Sequence, residues 1–256
     1  MIRFEKLDSV GKITLNRPEK FNSFVRNMAL TMQDTLKDCA DDDSIRCILI
    51  TGGGKAFSAG QDLKEATDPD GPAIEKIVNE HYNPIIRKIR EIEKPVIAAV
   101  NGVAAGAGAN LALACDIVVA SKSVKFIQAF SKIGLVPDSG GTYFLPRLIG
   151  LPRATAIMMT GEPVDAEKAE KYGMIYAVYS EEDFEKNSLE LAHALAAMPT
   201  KGLGYTKHLL NQSLSNSLEE QLNAEAEFQA RSANTEDHKE GVQAFLEKRK
   251  PGFTGK

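Results

Sequence analysis

The sequence predicts an α/β fold, and three observations carry that reading. Short β-branched runs alternate with amphipathic helical stretches through the first 180 residues. After about Glu181 the strands stop and only helical patterns remain. Two strand exits, Ala56 to Leu63 and Asn101 to Asn110, are rich in Gly and Ala and run toward helices. Strands alternating with helices argue for crossover connections in a largely parallel sheet.

The elements follow in order. Lys12-Ile13-Thr14-Leu15 reads as a strand, and Asn27 to Cys39 as a helix with Met28, Met32 and Leu36 on one face. Cys47-Ile48-Leu49-Ile50 is the next strand, closed by the Gly52-Gly53-Gly54 run. Ala73 to Ile92 carries Ile74, Ile77, Val78, Ile85, Ile86 and Ile89 at helical spacing. Val96 to Val100, Ile117 to Ala120 and Met174 to Val178 complete the strands. Residues 182–198, 202–212, 217–231 and 235–248 read as helices. The expected organisation is a core over residues 1–180 and a helical region over 181–256 that packs on its own core or on a neighbouring subunit.

Composition excludes several classes of function. The 256 residues are 43% hydrophobic and 26% charged, an ordinary globular profile. A net charge of -4, few aromatics and no Trp leave no footprint for nucleic acid. Cys39, Cys47 and Cys115 form no CxxC, which suits a reducing compartment and argues against a disulfide scaffold or zinc site. The four histidines are scattered, so no metal is expected. The N-terminus has no apolar signal core and no run is long enough to span a membrane, so the expected location is cytoplasmic.

Three motif matches fail on inspection. Asp138-Ser139-Gly140-Gly141 looks like a serine-protease nucleophile segment, but Pro137 stands where a Gly is expected and the chain is not all-β. Gly52-Gly53-Gly54-Lys55 lacks the hydroxyl residue after Lys that a phosphate loop uses for Mg²⁺, since Ala56 follows. Gly106-Ala107-Gly108 lacks the third Gly of a dinucleotide fingerprint, because position 111 is Leu.

The two Gly/Ala strand exits have two readings. Small residues permit tight strand–helix packing. They also let backbone N–H groups approach a ligand oxygen, and a helix N-terminus adds unpaired donors. Two such segments facing one pocket would cradle the oxyanion of a thioester enolate. Asp138 likewise has two readings: a turn and helix cap, or a general base.

In order and spacing the motifs resemble the crotonase (enoyl-CoA hydratase/isomerase) superfamily across essentially the whole chain. They are Leu15-Asn16-Arg17-Pro18, Phe57-Ser58-Ala59-Gly60-Gln61-Asp62-Leu63, Asn101-Gly102, Gly134 to Thr142 and Phe253-Thr254-Gly255-Lys256. The resemblance implies a spiral of ββα units followed by a helical trimerisation region, in a homotrimer or dimer of trimers. It implies an oxyanion hole from the N–H groups of Gln61 and Ala107. It implies acyl-CoA contacts along Phe21, Asn22, Ser58, Ala59, Gly60, Gln61, Asp62, Leu63 and Gly108. Phe253 and Lys256 would reach a neighbour's CoA site, with a frayed terminus as the alternative for Lys256. Coenzyme A arrives as part of the substrate, so no separate cofactor is implied.

The chain departs from the hydratase pattern. Hydratases of the family hold a water between two glutamates, and here Asn110 and the segment Gln128-Ala129-Phe130 occupy those places. An Asn amide is no general base and a Phe activates no water. The one acid left near the site is Asp138. That pattern resembles the isomerase branches, above all the one handling ring-epoxide CoA thioesters in phenylacetate breakdown. It implies Asp138 as the catalytic acid/base, with other enzymes of that breakdown as possible partners. A Δ3,Δ2-enoyl-CoA isomerase and a non-catalytic acyl-CoA-binding scaffold are the alternatives.

Overall fold

A computed structural model describes residues 1–256. Ten strands form two sheets. They are β1 (Ile2–Leu7), β2 (Val10–Leu15), β3 (Cys47–Gly52), β4 (Ala56–Ser58), β5 (Val96–Val100), β6 (Val103–Ala105), β7 (Ile117–Ser121), β8 (Lys125–Ile127), β9 (Val164–Asp165) and β10 (Ala177–Tyr179). The larger sheet has the order β1-β2-β3-β5-β7-β10 and is parallel except for the β1–β2 hairpin. The smaller has the order β4-β6-β8-β9, with β9 antiparallel. Three times in succession a strand of the large sheet is followed by one of the small sheet: β3 to β4, β5 to β6, β7 to β8. This is the ββα spiral that the family resemblance implies, and the α/β class that the strand and helix patterns predict.

Twelve helices surround the sheets: α1 (Arg26–Asp41), α2 (Leu63–Ala66), α3 (Ile74–Lys76), α4 (Asn83–Glu91), α5 (Ala107–Leu113), α6 (Gly141–Ile149), α7 (Leu151–Thr160), α8 (Ala166–Lys171), α9 (Phe184–Ala196), α10 (Thr200–Ser213), α11 (Leu218–Ala233) and α12 (Glu236–Glu247).

The unbroken apolar runs of β3 and β5 follow from burial on both faces. Ile48, Ile50, Val96, Ala98 and Val100 enter the main core with Met28, Met32 and Leu36 of α1. Their alternates Cys47, Leu49, Ile97 and Ala99 pack against Phe184, Ala192 and Ala196 of α9. Each buried Ile or Leu contributes about 1.5–3 kcal/mol relative to exposure. The first helix of the tail thus closes the second face of the large sheet.

Two elements differ from expectation. The strand expected at Met174 to Val178 pairs only from Ala177, because Gly173 takes a left-handed turn and the Met174 N–H bonds back to the Ala169 carbonyl. Met174 and Ile175 are buried all the same. The helix expected over Ala73 to Ile92 is interrupted by a π-helical stretch, Ile77–Tyr82. It leaves two successive residues, His81 and Tyr82, wholly buried. Such π stretches occur frequently at functional sites.

Candidate active site

The two Gly/Ala strand exits meet backbone to backbone. Gly60, at φ 86°, follows β4, and a Cβ built on it would lie 2.9 Å from the Ala105 carbonyl oxygen and 3.2 Å from the Ala107 nitrogen. A Cβ on Gly108 would overlap the Ser58 backbone. Glycine is required at both places by this close approach. The parallel bridge between Phe24 and Gln61 is made by the Phe24 N–H to the Gly60 carbonyl, 2.7 Å, and the Asp62 N–H to the Phe24 carbonyl, 2.9 Å. In this pattern the N–H of Gln61 itself points away from Phe24. Ala107 is the first residue of α5, so no carbonyl of that helix partners its N–H. The structure therefore brings the two expected donor segments side by side.

The segment before Gln61 is heavily braced. Asn22, at φ 53°, donates its amide to the carbonyls of Gly53, 2.9 Å, and Ala56, 2.7 Å, and accepts from the Arg17 N–H, 2.8 Å. Ser58 Oγ donates to the Asn22 carbonyl, 2.9 Å, and accepts from the Gly60 N–H, 3.1 Å. Arg17 also meets Asp62, 2.6 Å. Asn22 and Ser58 are wholly buried, so their side chains build the segment and do not face a ligand. Phe21 and Leu63 are exposed beside them, and Ala59 is the exposed backbone position between.

Asp138 lies in the loop before α6, which starts after the left-handed pair Ser139 and Gly140. Gly140 is the N-cap residue and no side chain caps this helix, so a capping role for the Asp138 carboxylate is not what the structure shows. The carboxylate accepts one side-chain bond, from Ser139 Oγ at 2.9 Å. Burial pushes its pKa above the ordinary carboxylate value, and the Ser139 hydroxyl only partly offsets this. The loop is fixed through its backbone instead. Asn110 Nδ2 donates to the Asp138 carbonyl, 2.9 Å, and Asn110 Oδ1 accepts from Gln128 Nε2, 2.7 Å. Both amides are buried. The two positions where the sequence lacks hydratase acids thus differ in use: Asn110 anchors the Asp138 loop, and Phe130 packs its ring by Gly106.

A polar group that sequence reasoning missed sits on the other side of Gln61. The Tyr82 hydroxyl donates to Gln61 Oε1, 3.0 Å, and Gln61 Nε2 donates to Glu65 Oε2, 2.8 Å. Glu65 Oε1 accepts from the Arg26 N–H, 2.9 Å. Burial, and after it the charges of Asp138 and Glu65, push the Tyr82 phenol well above its ordinary value, so it stays a proton donor. Neighbouring His81 is buried with Nδ1 unpartnered, and burial holds its pKa down. The only sequence signal for this group is that His81 and Tyr82 stand in the middle of the apolar helical pattern over Ala73 to Ile92.

Phe253 and Lys256 are not part of this cluster within one chain. The Phe253 carbonyl accepts from Arg46, 2.7 Å, and the Lys256 carbonyl from the Asp237 N–H, 3.1 Å. The terminus is tied down, since the buried Asp237 carboxylate accepts the N–H groups of Thr254 and Gly255.

The model of the enoyl-CoA hydratase/isomerase family matches residues 5–256. The chain belongs to this family. It is 48% identical over 250 residues to the 1,2-epoxyphenylacetyl-CoA isomerase of Escherichia coli K12, covering 96% of this chain and 95% of that protein. It is 42% identical over 255 residues to a Rhodobacter capsulatus protein described as a probable enoyl-CoA hydratase, covering 100% and 98%. The crystal structure of an enoyl-CoA hydratase/isomerase-type protein from Mycobacterium abscessus superposes with a TM-score of 0.95 at 36% identity over 100% of both chains. The fold is the crotonase fold, and the chain is a crotonase-family enzyme acting on CoA thioesters.

Proposed function

We propose that this enzyme is an isomerase of CoA thioesters and that Asp138 is its acid/base. One observation carries the reading: a single half-buried carboxyl, whose one side-chain partner is the Ser139 hydroxyl, lies in the loop gripped by Asn110 in a family site where Asn110 and Phe130 replace both hydratase acids.

The Asp138 carboxylate takes the proton α to the thioester carbonyl. The C–H electron pair enters the enolate, and the N–H groups of Gln61 and Ala107 hold the enolate oxygen. Reprotonation at another carbon by the Asp138 carboxyl, which exchanges its proton with solvent, returns one proton for the one removed, so no atom is gained or lost. Each oxyanion donor contributes about 2.7–4 kcal/mol in measured enzymes. Two give about 5–8 kcal/mol, a factor of roughly 10⁴–10⁶ in rate. Burial makes the Asp138 carboxylate a stronger base than an exposed one. One acid/base suffices because no water is consumed, and the scheme uses neither a metal nor a redox cofactor.

The substrate proposed first is ring-1,2-epoxyphenylacetyl-CoA, rearranged to its seven-membered oxepin-CoA isomer, on the likeness to the Escherichia coli isomerase. Double-bond migration in enoyl-CoA follows from the same proton transfer. The proposed assembly is a homotrimer or dimer of trimers through the helical tail, supported by exposed Leu210, Leu214, Leu218, Leu222, Phe245 and Leu246. Light scattering checks it, and a stable monomer at micromolar concentration contradicts it. The test of function is turnover of a CoA-thioester panel in D₂O with α-proton exchange followed by NMR. Isomerisation and exchange without hydration of crotonyl-CoA are expected, and hydration as fast as isomerisation would overturn the reading.

A further inference from the structure

We propose that Tyr82 is a positioning residue that holds the oxyanion donor Gln61 in place through the Gln61 side chain. The inference rests on the isomerase reading above and deepens it. Backbone bonds fix the residues on both sides of Gln61: Gly60 accepts from Phe24 and Asp62 donates to it. The Gln61 N–H shares the planar Gly60–Gln61 peptide with the Gly60 carbonyl and points the opposite way, so one bond, from the Phe24 N–H at 2.7 Å, guards that peptide against rotation. Gly60 is at φ 86° and has no side chain to resist that rotation. The Gln61 side-chain amide adds a second restraint. It is clamped at both ends, by the Tyr82 hydroxyl on Oε1 and by Glu65 on Nε2.

The clamp is itself anchored. Tyr82 is wholly buried and its ring stacks at a tilt on Phe24, 5.7 Å between centroids. Phe24 is the residue bridged to Gln61, so one aromatic pair supports both the backbone and the side chain of the donor. Gln33 Nε2 donates to the Glu80 carbonyl, 2.8 Å, and to the His81 carbonyl, 3.2 Å, fixing the π-helical stretch that carries Tyr82. Glu65 is held by the Arg26 N–H at the start of α1. The interruption of the helix at Ile77–Tyr82 is what delivers Tyr82 to this position.

The test is Tyr82→Phe, which keeps the ring and removes the hydroxyl. The probe is 4-(dimethylamino)cinnamoyl-CoA, whose absorption moves to the red when its thioester carbonyl accepts hydrogen bonds. In Y82F the probe is expected to bind within about threefold of wild type with a smaller red shift. kcat is expected to fall about 3- to 10-fold with KM nearly unchanged, the size of one lost hydrogen bond. If Y82F does not fold, Gln61→Met keeps the chain length and the backbone N–H, removes both clamping bonds, and should show the same loss. Where both fold, the double variant should be no worse than the poorer single one, because both break one chain of contacts. A full red shift and wild-type kcat in Y82F or Q61M, or additive losses in the double variant, overturn the inference alone. A wild type that neither shifts the probe nor exchanges the α-proton overturns the isomerase reading and this inference with it.

Discussion

The Ser58–Gln61 segment and the Asp138 loop are held in opposite ways. Around Ser58 to Gln61 nearly every polar atom is spoken for: Asn22 spans three backbone partners, Ser58 two, and Gln61 is gripped at both ends of its amide. At Asp138 the backbone is anchored by Asn110, but the carboxylate has one side-chain partner. Groups that act as fixed dipoles gain from rigidity, because pre-orientation avoids reorganisation during reaction. Asp138, the group proposed to gain and lose a proton, is half-buried and thinly bonded, and burial raises its pKa above the ordinary carboxylate value.

Breaking the thinly bonded side has the largest effect. Asp138→Asn is expected to cost about 10²–10⁴ in kcat, measured with CoA-thioester binding held as a control. Its stability effect has the opposite sign. Because the folded pKa lies above the unfolded one, the native state binds more protons between the two values, and stability falls as pH rises through that window. D138N should therefore melt at or above wild type at pH 7. The difference should vanish as pH falls below the ordinary carboxylate value of about 4. A large drop in melting temperature at pH 7 would show a structural role instead.

Breaking the braced side comes next. Gly108→Ala forces a Cβ into the Ser58 backbone and parts the two donor segments. We expect about 10² lost in kcat from misplacement of roughly an ångström, and about 1–3 kcal/mol of stability lost to overpacking. Denaturant titration and steady-state kinetics together read both. Asn110→Ala tests the link between the regions. It leaves Gln128 Nε2 without this partner and takes one of two donors from the Asp138 carbonyl, which keeps the Gly141 N–H at 2.8 Å, at about 1–3 kcal/mol. Its kcat loss should stay well below that of D138N, because the carboxyl remains.

The smallest effect sharpens the comparison. Ser139→Ala removes the one side-chain bond that lowers the Asp138 pKa. The acid limb of the kcat/KM profile should move to higher pH with the plateau rate little changed. An unmoved limb would detach Asp138 from that ionisation.

The sequence by itself determined the α/β architecture and named the residues of the candidate site. Continuous apolar runs such as Val96 to Val100 announce strands buried on both faces, because alternation disappears when neither face meets water. Gly60 and Gly108 announce a close backbone approach, because only a missing Cβ permits one. Asp138, Asn110 and Phe130 were legible as the acid kept and the acids lost. Tertiary structure alone decided what those residues touch. That Asn22 and Ser58 are buried braces, that Asn110 grips the Asp138 carbonyl, and that Tyr82 reaches Gln61 across 21 positions all depend on contacts distant in sequence. The π-helical stretch at Ile77–Tyr82 is equally invisible to periodicity, since its apolar pattern over Ala73 to Ile92 reads as one unbroken helix. Local pattern records which face is apolar. Which polar atom meets which is set only when the sheets and helices close around them.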